Sequence, residues 1–588
     1  MEKKYDTDVA AAVSPPSVTQ AEAGTKVPNS QVYGDDIQKG LKRGLKPRHV
    51  SLLTLGGIIG TGLFLGTGNA LVKGGPVGLF LGYAIYGCVL ICIMQGIGEM
   101  TAFLPVPGGH LTFCGRFVDP ALSFAVNWAY AIQWMLVCPA ELVAVAVLMN
   151  YWVDDTKVNN AVWITVALVI IVVLNCFPAS VYGETEFIFA SIKIITIVGL
   201  IICGIAINCG ANSAHDYIGF RYWKDPGPFG VKYLGLGGST GRFLGFWAVL
   251  TQAAFSYFGA EVVAVAAAES KNPGRSIPRS IRQVYIRIFI FYVLGTFIIG
   301  LNCPSNDPRL GTTSDASASP FVIAISRAGI KVLPHIINGC LISSAWSAGN
   351  ADVYIAGRSL FSLANQGYLP KWFVYTLPNG TPIVASMTAA ASGLLAYMAV
   401  NANANKVFNW FVNLISVGGI MIYVGIAWTY LRFRAACDAQ GIDRRQFPFR
   451  SPFARVGAWI CVVALPSESS EPASHLGPLS PPILPVSPPV TGHPIPSSLS
   501  AHSVIALFSA WQVFMDTENF DKATFITNYL PAVLVPGAYV VRKLYAKTKI
   551  IPLLEVDLAT GARTKADVLE ELDEAPKGFA GYIHRFLF

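Results

Sequence analysis

The chain has 588 residues, 53% of them hydrophobic and only 13% charged, and its mean hydropathy is +0.51. Soluble domains are about a quarter charged, so these figures exclude an ordinary soluble fold and point to a polytopic membrane protein. The net charge of +8 is modest and spread along the chain, which basic cytoplasmic loops explain without any nucleic-acid partner.

The first 47 residues are polar and carry Pro, Ser and Gly, the composition of a disordered cytoplasmic tail. No cleavable signal peptide opens the chain, so insertion is expected to depend on the first hydrophobic span. That span, near 50–72, contains "LTLGGIIGTGLFLGTGNAL", an apolar stretch with six glycines. Unpaired backbone groups in hydrocarbon cost several kcal/mol each. Non-helical backbone at depth therefore survives only where it is buried or lines a cavity. A break here exposes the N–H groups of Gly60, Thr61 and Gly62 at the start of a resumed half-helix, where the dipole favours a carboxylate. Close helix packing through small residues is the alternative.

Further spans of roughly 20 apolar residues follow near 78–103, 121–151, 161–178, 187–208 and 243–267. The last contains Phe255-Ser256-Tyr257-Phe258-Gly259, a second aromatic, glycine-containing interruption. Paired interrupted spans in corresponding positions are the best sequence pointer to a transporter's midplane site. They correspond if the first ten spans form two inverted five-helix repeats. Spans near 283–302, 332–356, 381–400, 407–432 and 524–541 complete the clear set.

An eleventh span is broken. "VGAWICVVAL" (456–465) and "VIALFSAWQVF" (504–514) are each too short to cross, but joined they make one span. Between them lies a Pro/Ser-rich segment that cannot continue a helix. It reads as an in-frame gene-model insertion at about 466–503, or else as a real extramembrane loop. Counting it closed gives twelve spans. The basic segments before span one, after six, after ten and after the last then share one side, with both termini cytoplasmic. The domains are thus a tail at 1–47, a ten-helix core at 48–432, the last two helices at 433–545 and a C-terminal tail at 546–588. The sequon at Asn379 falls on the cytoplasmic side and should carry no glycan.

The eleven cysteines lie mostly in apolar runs, with no CxxC or Cys/His cluster, so no metal or cofactor is expected. Cys209 and Cys303 fall near outer helix ends and could pair.

Several stretches together carry a resemblance: "GGIIGTGLFLGTG", "GEMTAFLPVPGG" with "RFVDPAL", "PAELVAV", "FSYFGAE", "ESKNPGRSIPRSI", "LISSAWSAGNADVYIAGRSLFSLA" and "IPLLEVDLATGAR". The chain, from about 40 to 563, resembles a fungal amino-acid permease of the amino acid–polyamine–organocation superfamily. The resemblance implies an all-α, LeuT-like inverted-repeat fold with discontinuous helices 1 and 6 and two added C-terminal helices. It also implies amino-acid import at the plasma membrane coupled to protons. Carried over residue by residue, Ile58, Gly60, Thr61 and Gly62 would take the substrate carboxylate. Phe255, Ser256, Phe258 and Gly259 would take the α-ammonium through carbonyls, with Phe255 as an aromatic gate. His110, Phe113, Cys114, Asn127 and the run "AAAES" depart from the usual pattern, which bears on substrate range more than on fold.

Ionisable residues inside spans are functional hypotheses by default. Lys193 either snorkels to the cytoplasmic surface or occupies the place where related carriers hold sodium, leaving protons as the driving ion. Glu261, just past the second break, is placed to exchange a proton, or is a structural carboxyl. Glu141 is a proton relay, a contact for a substrate side chain, or structural. Glu99 reads as a gate or cap, and Glu269 as a loop residue paired with Arg or Lys. Trp128, Tyr130 and Trp134 read as interface or core aromatics. Ser343, Ser344, Trp346 and Asn350 are candidate cavity-lining groups.

The leading function is a proton-coupled amino-acid symporter working by alternating access in a lipid membrane. A non-transporting nutrient receptor on the same fold and a polyamine or organic-cation carrier are the alternatives. An enzyme is disfavoured, since no paired intramembrane aspartates, His-rich cluster or nucleophile motif is present. Tail lysines (Lys3, Lys4, Lys26, Lys39) are exposed candidates for ubiquitin ligase machinery.

Overall fold

The computed structural model describes residues 59–560, except Pro107, Ala402, Pro448 and the segments 154–155, 231–236, 263–272, 311–318, 445–446, 452–454, 456–457 and 459–521. Ile58, Glu269, the tail lysines and almost all of the eleventh span lie outside the described residues. The regular secondary structure among the described residues is helical, with no strand. Among the described residues, seven helices are long and apolar enough to cross a membrane. They are α1 (Gly62–Phe103), α2 (Pro120–Met149), α4 (Ala179–Asn208), α6 (Arg279–Asn302), α8 (Ile383–Val400), α9 (Ala404–Ala439) and α10 (Lys522–Ala546). Between them lie α3 (Asn160–Leu174), α5 (Gly238–Tyr257) and α7 (Leu333–Asn365).

Local chemistry sets the helix ends. Asp119 caps α2 by accepting from Ala121 N–H at 2.8 Å, and Pro120 fills the first position, where no donor is needed. Asn159 caps α3 in the same way. The first two expected spans form one run, α1, whose path turns at Gly75 (φ 71°, ψ 177°) just before Pro76. A Cβ at Gly75 would lie 2.6 Å from the Phe229 carbonyl carbon, so the backbone approach there requires glycine. Val77 N–H donates to Pro228 O at 2.9 Å across the same contact.

α4 shows why membrane helices read inside-out. Ile188, Ile195 and Ile202, seven residues apart, are exposed, whereas Glu186 and Lys193 on another face are buried. Exposed isoleucines suit lipid, and the charges turn toward protein. The helix starts at Ala179, eight residues before the expected boundary. Lys193 therefore sits fourteen positions in, about 21 Å along the axis, and is 1% exposed. Snorkelling to a surface is corrected by this depth: its ammonium faces Glu186 at 3.4 Å instead.

α7 packs along α2, α1 along α5, and α9 against α2, α5 and α10. Cys209 and Cys303, whose position near outer helix ends left a pairing open, are both free thiols. In the loop after α6, Asp307 is clamped by Arg309 at 2.8 Å and Arg327 at 3.1 Å. Beyond α10, residues 551–560 run back against the bundle, where Val556 and Leu558 are buried.

Candidate functional site

The two glycine-containing interruptions meet. Ile59 and Gly60 are non-helical, helix begins at Thr61, and Gly62–Gly66 is wound as a π-helix. α5 stops at Tyr257, Phe258 is extended (ψ 143°) and Gly259 has φ 89°. A Cβ on Gly62 would stand 2.8 Å from Ser256 Cα and 3.1 Å from Phe255 Cδ1. Glycine at 62 is what lets the two broken segments touch. Ser256 Oγ is 2.8 Å from Tyr83 OH, and its side chain also bonds Gln252 O on its own helix.

A small, partly open cavity lies at this junction. Gly60, Gly62, Phe255, Ser256 and Phe258 line it, as do Glu141 and Trp134 of α2. α7 contributes Ala348, Ala351, Asp352 and Ile355. Trp134 packs on Phe258 with ring centroids 5.1 Å apart, and Phe255 stands edge-on to Phe408 at 6.0 Å. Trp134 thus belongs to the cavity wall, beyond the interface or core role expected of it. Trp128 and Tyr130 do not line the cavity.

The half-helix N-terminus already faces a carboxylate, and it is the protein's own. Thr61 N–H and Thr61 Oγ1 both donate to Glu141 Oε1, at 3.3 and 3.1 Å. Glu141 Oε2 is buried with no hydrogen-bond partner among the described residues. Behind it, Glu186 accepts from Lys193 at 3.4 Å and from Ser347 Oγ at 2.8 Å. Glu261 is fully buried but does not line the cavity; Tyr423 OH of α9 donates to its Oε2 at 2.7 Å. The candidate proton-handling groups therefore occupy two places, one in the cavity wall and one behind it.

The face of α7 that lines the cavity is not the expected one. Ser344 donates to Ile59 O at 3.2 Å and so buttresses the first break. Ser343 bonds Cys340 O on its own helix, Trp346 donates to Ala167 O, and Asn350 accepts from Asn175. None of the four lines the cavity. Asp352, which the sequence reading missed, does. Its only signal was a carboxylate two residues past Asn350 in an otherwise small and apolar run.

Glu99 sits at the far end of α1, buried between Arg444 at 2.6 Å and Tyr430 OH at 2.9 Å, with Arg434 at 3.7 Å. His110 is buried and edge-on to Tyr130 at 5.5 Å, and Asn127 bonds Leu111 O and Ser123 Oγ. No group of three or more potential metal-ligating side chains occurs among the described residues.

Sequence comparison identifies the family. The model of the amino acid permease family matches residues 49–467. The chain is 37% identical over 531 residues to the dicarboxylic amino acid permease of Saccharomyces cerevisiae, covering 90% of this chain and 81% of that one. It is 35% identical to the proline-specific permease of Emericella nidulans, over 93% of this chain and 95% of the relative. It is also 35% identical to the lysine-specific permease of S. cerevisiae, over 91% and 81%. Among solved structures, a manganese transporter from Eremococcus coleocola aligns over 85% of this chain and 94% of its own, at a TM-score of 0.48 and 10% identity. The chain belongs to the amino acid permease family and is a multi-pass membrane transporter rather than an enzyme.

Proposed function

We propose that the protein imports amino acids across the plasma membrane with protons, by alternating access around the cavity between the two broken helices. The observation that carries this reading is the contact between Glu141 and Thr61. A half-helix N-terminus is an anion site, and here the protein's own Glu141 carboxylate accepts from the Thr61 N–H. An incoming amino acid would bring its α-carboxylate to the N–H groups of Ile58, Gly60, Thr61 and Gly62 and displace Glu141. The α-ammonium would take backbone carbonyls at Phe255, Ser256, Phe258 and Gly259, of which Phe255 O also accepts from Phe258 N–H and Gly259 O from Val262 N–H. Displaced from its donors in a buried site, the Glu141 carboxylate needs a compensating charge. A proton is one such charge, so substrate binding and protonation become linked.

Lys193 supports the choice of ion. A fixed ammonium paired with Glu186 leaves a positive charge where a sodium ion would otherwise be held. Glu261, next to the second break, is the second proton carrier in this scheme. The full architecture is read as twelve spans, two inverted five-helix repeats and two further helices, with both termini cytoplasmic. The segment 466–503 is read as an insertion absent from the mature chain. The family match ends at residue 467, where that segment begins. Sequencing the mature transcript tests this, and a message containing the segment would contradict it.

The function is tested by uptake of labelled amino acids in cells lacking their own permeases, at acidic and neutral outside pH, with and without sodium. Uptake that rises with acidity and ignores sodium is expected. Sodium-dependent uptake, or none with the protein confirmed at the surface, contradicts the proposal.

A further inference from the structure

We propose that Asp352, on the wall of the cavity it shares with Glu141, binds a cationic side chain on the substrate, so that the pocket selects amino acids bearing a second ammonium or a guanidinium. The inference rests on the transport reading above and adds the substrate class.

Two buried carboxylates line one cavity, and each keeps an oxygen without a hydrogen-bond partner among the described residues: Glu141 Oε2 and Asp352 Oδ2. Both residues are 3% exposed. A buried, unpartnered carboxylate oxygen is costly unless a ligand or a proton completes it. The charges around Asp352 do not balance. With all four groups ionised, Glu141 and Glu186 repel the Asp352 carboxylate and, among the described residues, the Lys193 ammonium offsets them, while Lys193 also sits against Glu186. The backbone of an amino-acid substrate is a zwitterion and leaves that balance unchanged, so its side chain decides the sign of the change. A cation improves the balance, a neutral side chain leaves it, and an anion worsens it.

Position fits the same reading. Ala348 lies beside Gly60, and Asp352 follows one turn later on α7, about 6 Å along the axis. The α-ammonium is bonded to the same carbon as the carboxylate and stays at the Gly60–Gly62 level. A side chain extending along the cavity toward Trp134 and Ile355 passes Asp352. Its aliphatic stem would run between Val137, Ala351 and Ile355, and long cationic side chains carry such a stem.

The test is uptake of labelled lysine, arginine, leucine and glutamate by wild-type, Asp352→Asn and Asp352→Glu proteins, with surface levels measured for each. Lysine and arginine are expected to outcompete leucine in the wild type, with glutamate last. Removing one partner of a buried charge pair should lower the lysine-to-leucine ratio about thirtyfold or more in Asp352→Asn. Asp352→Glu should restore much of it. A wild type that takes up neutral amino acids in preference, with a ratio unmoved by Asp352→Asn, would overturn this inference and leave transport standing. So would a variant whose pH profile changes while its selectivity does not, since Asp352 would then only carry a proton. A wild type present at the surface that takes up none of the four would overturn the transport reading and this inference with it.

Discussion

Glu261 accepts from Tyr423 OH at 2.7 Å, and its Oε1 has no partner among the described residues. A proton on Oε1 leaves the Tyr423 bond to Oε2 in place. Substitution by Gln keeps the shape and the Tyr423 contact but cannot ionise. Glu261→Gln is expected to remove the dependence of uptake on outside pH and to slow net uptake at least about tenfold, a change of about 1.4 kcal/mol. Exchange of labelled for unlabelled amino acid should persist, because it needs no net proton movement. Retention of the wild-type pH dependence would assign the proton elsewhere. Outside the membrane, Asp307 makes a second prediction. Its hydrogen bond from the Arg309 guanidinium, aided by Arg327, holds its carboxyl down at about 2 from an ordinary 3.8. A lowered value means the clamp stabilises the fold fully above about pH 4 and is lost as pH falls toward 2. Asp307→Asn should therefore cost about 1–3 kcal/mol in thermal unfolding near neutral pH. The difference from wild type should hold down to about pH 5 and shrink below 4.

Two glycines set how closely the helices approach their neighbours. At Gly62 a Cβ would meet the backbone of Ser256, so rotating a side chain cannot relieve the clash. Gly62→Ala should push the broken helices apart and cut uptake at least about tenfold at unchanged surface level. Near-normal uptake would mean that their contact is incidental. Gly75→Ala forces a positive φ on a residue with a Cβ and drives it into Phe229. A loss of at least about 1 kcal/mol is expected, read as a lower unfolding midpoint. Both breaks were legible in the sequence because glycine and aromatic runs interrupt long apolar spans there. The start of α4 was not, because Glu184 and Glu186 interrupt its hydropathy. Hydropathy does not reveal that Glu186 faces protein and not lipid. The cavity face of α7 was missed for a related reason: Ser, Asn and Asp lie on several of its faces. Only its packing against α2 distinguishes Asp352 from Asn350.

At the scale of the molecule, the segment after α10 ties the bundle's end together. Arg116 donates to Asp557 O and Thr560 O, both at 2.6 Å, and its guanidinium lies 3.2 Å from the Asp557 carboxylate. Gln440 donates to Leu553 O and Val556 O, Arg432 to Ile551 O, and Ile551 N–H to Val118 O. Lys543 pairs with Asp119, the cap of α2. Truncation after residue 550 takes these acceptors away from Arg116, which is 5% exposed, and uncovers the ground beneath Val556 and Leu558. Each lost charged hydrogen bond costs about 1–3 kcal/mol, so the truncated protein should melt several degrees below the full chain. An unchanged melting point would make the strap an ornament of the fold. Nothing in the tail's composition announced this docking. Its short, mixed sequence lacks periodicity, and only the stretch "IPLLEVDLATGAR" set it apart, through the family resemblance.

Proton coupling is tested most directly with purified protein in sealed vesicles carrying a pH-sensitive dye in the lumen. An amino acid that the uptake panel identifies as a substrate is added outside, with no sodium present. Proton-coupled import predicts that the lumen acidifies as the labelled amino acid accumulates, and that Glu261→Gln exchanges amino acid without that signal. Accumulation with no movement of protons in the wild type would contradict the coupling assigned to Glu141 and Glu261.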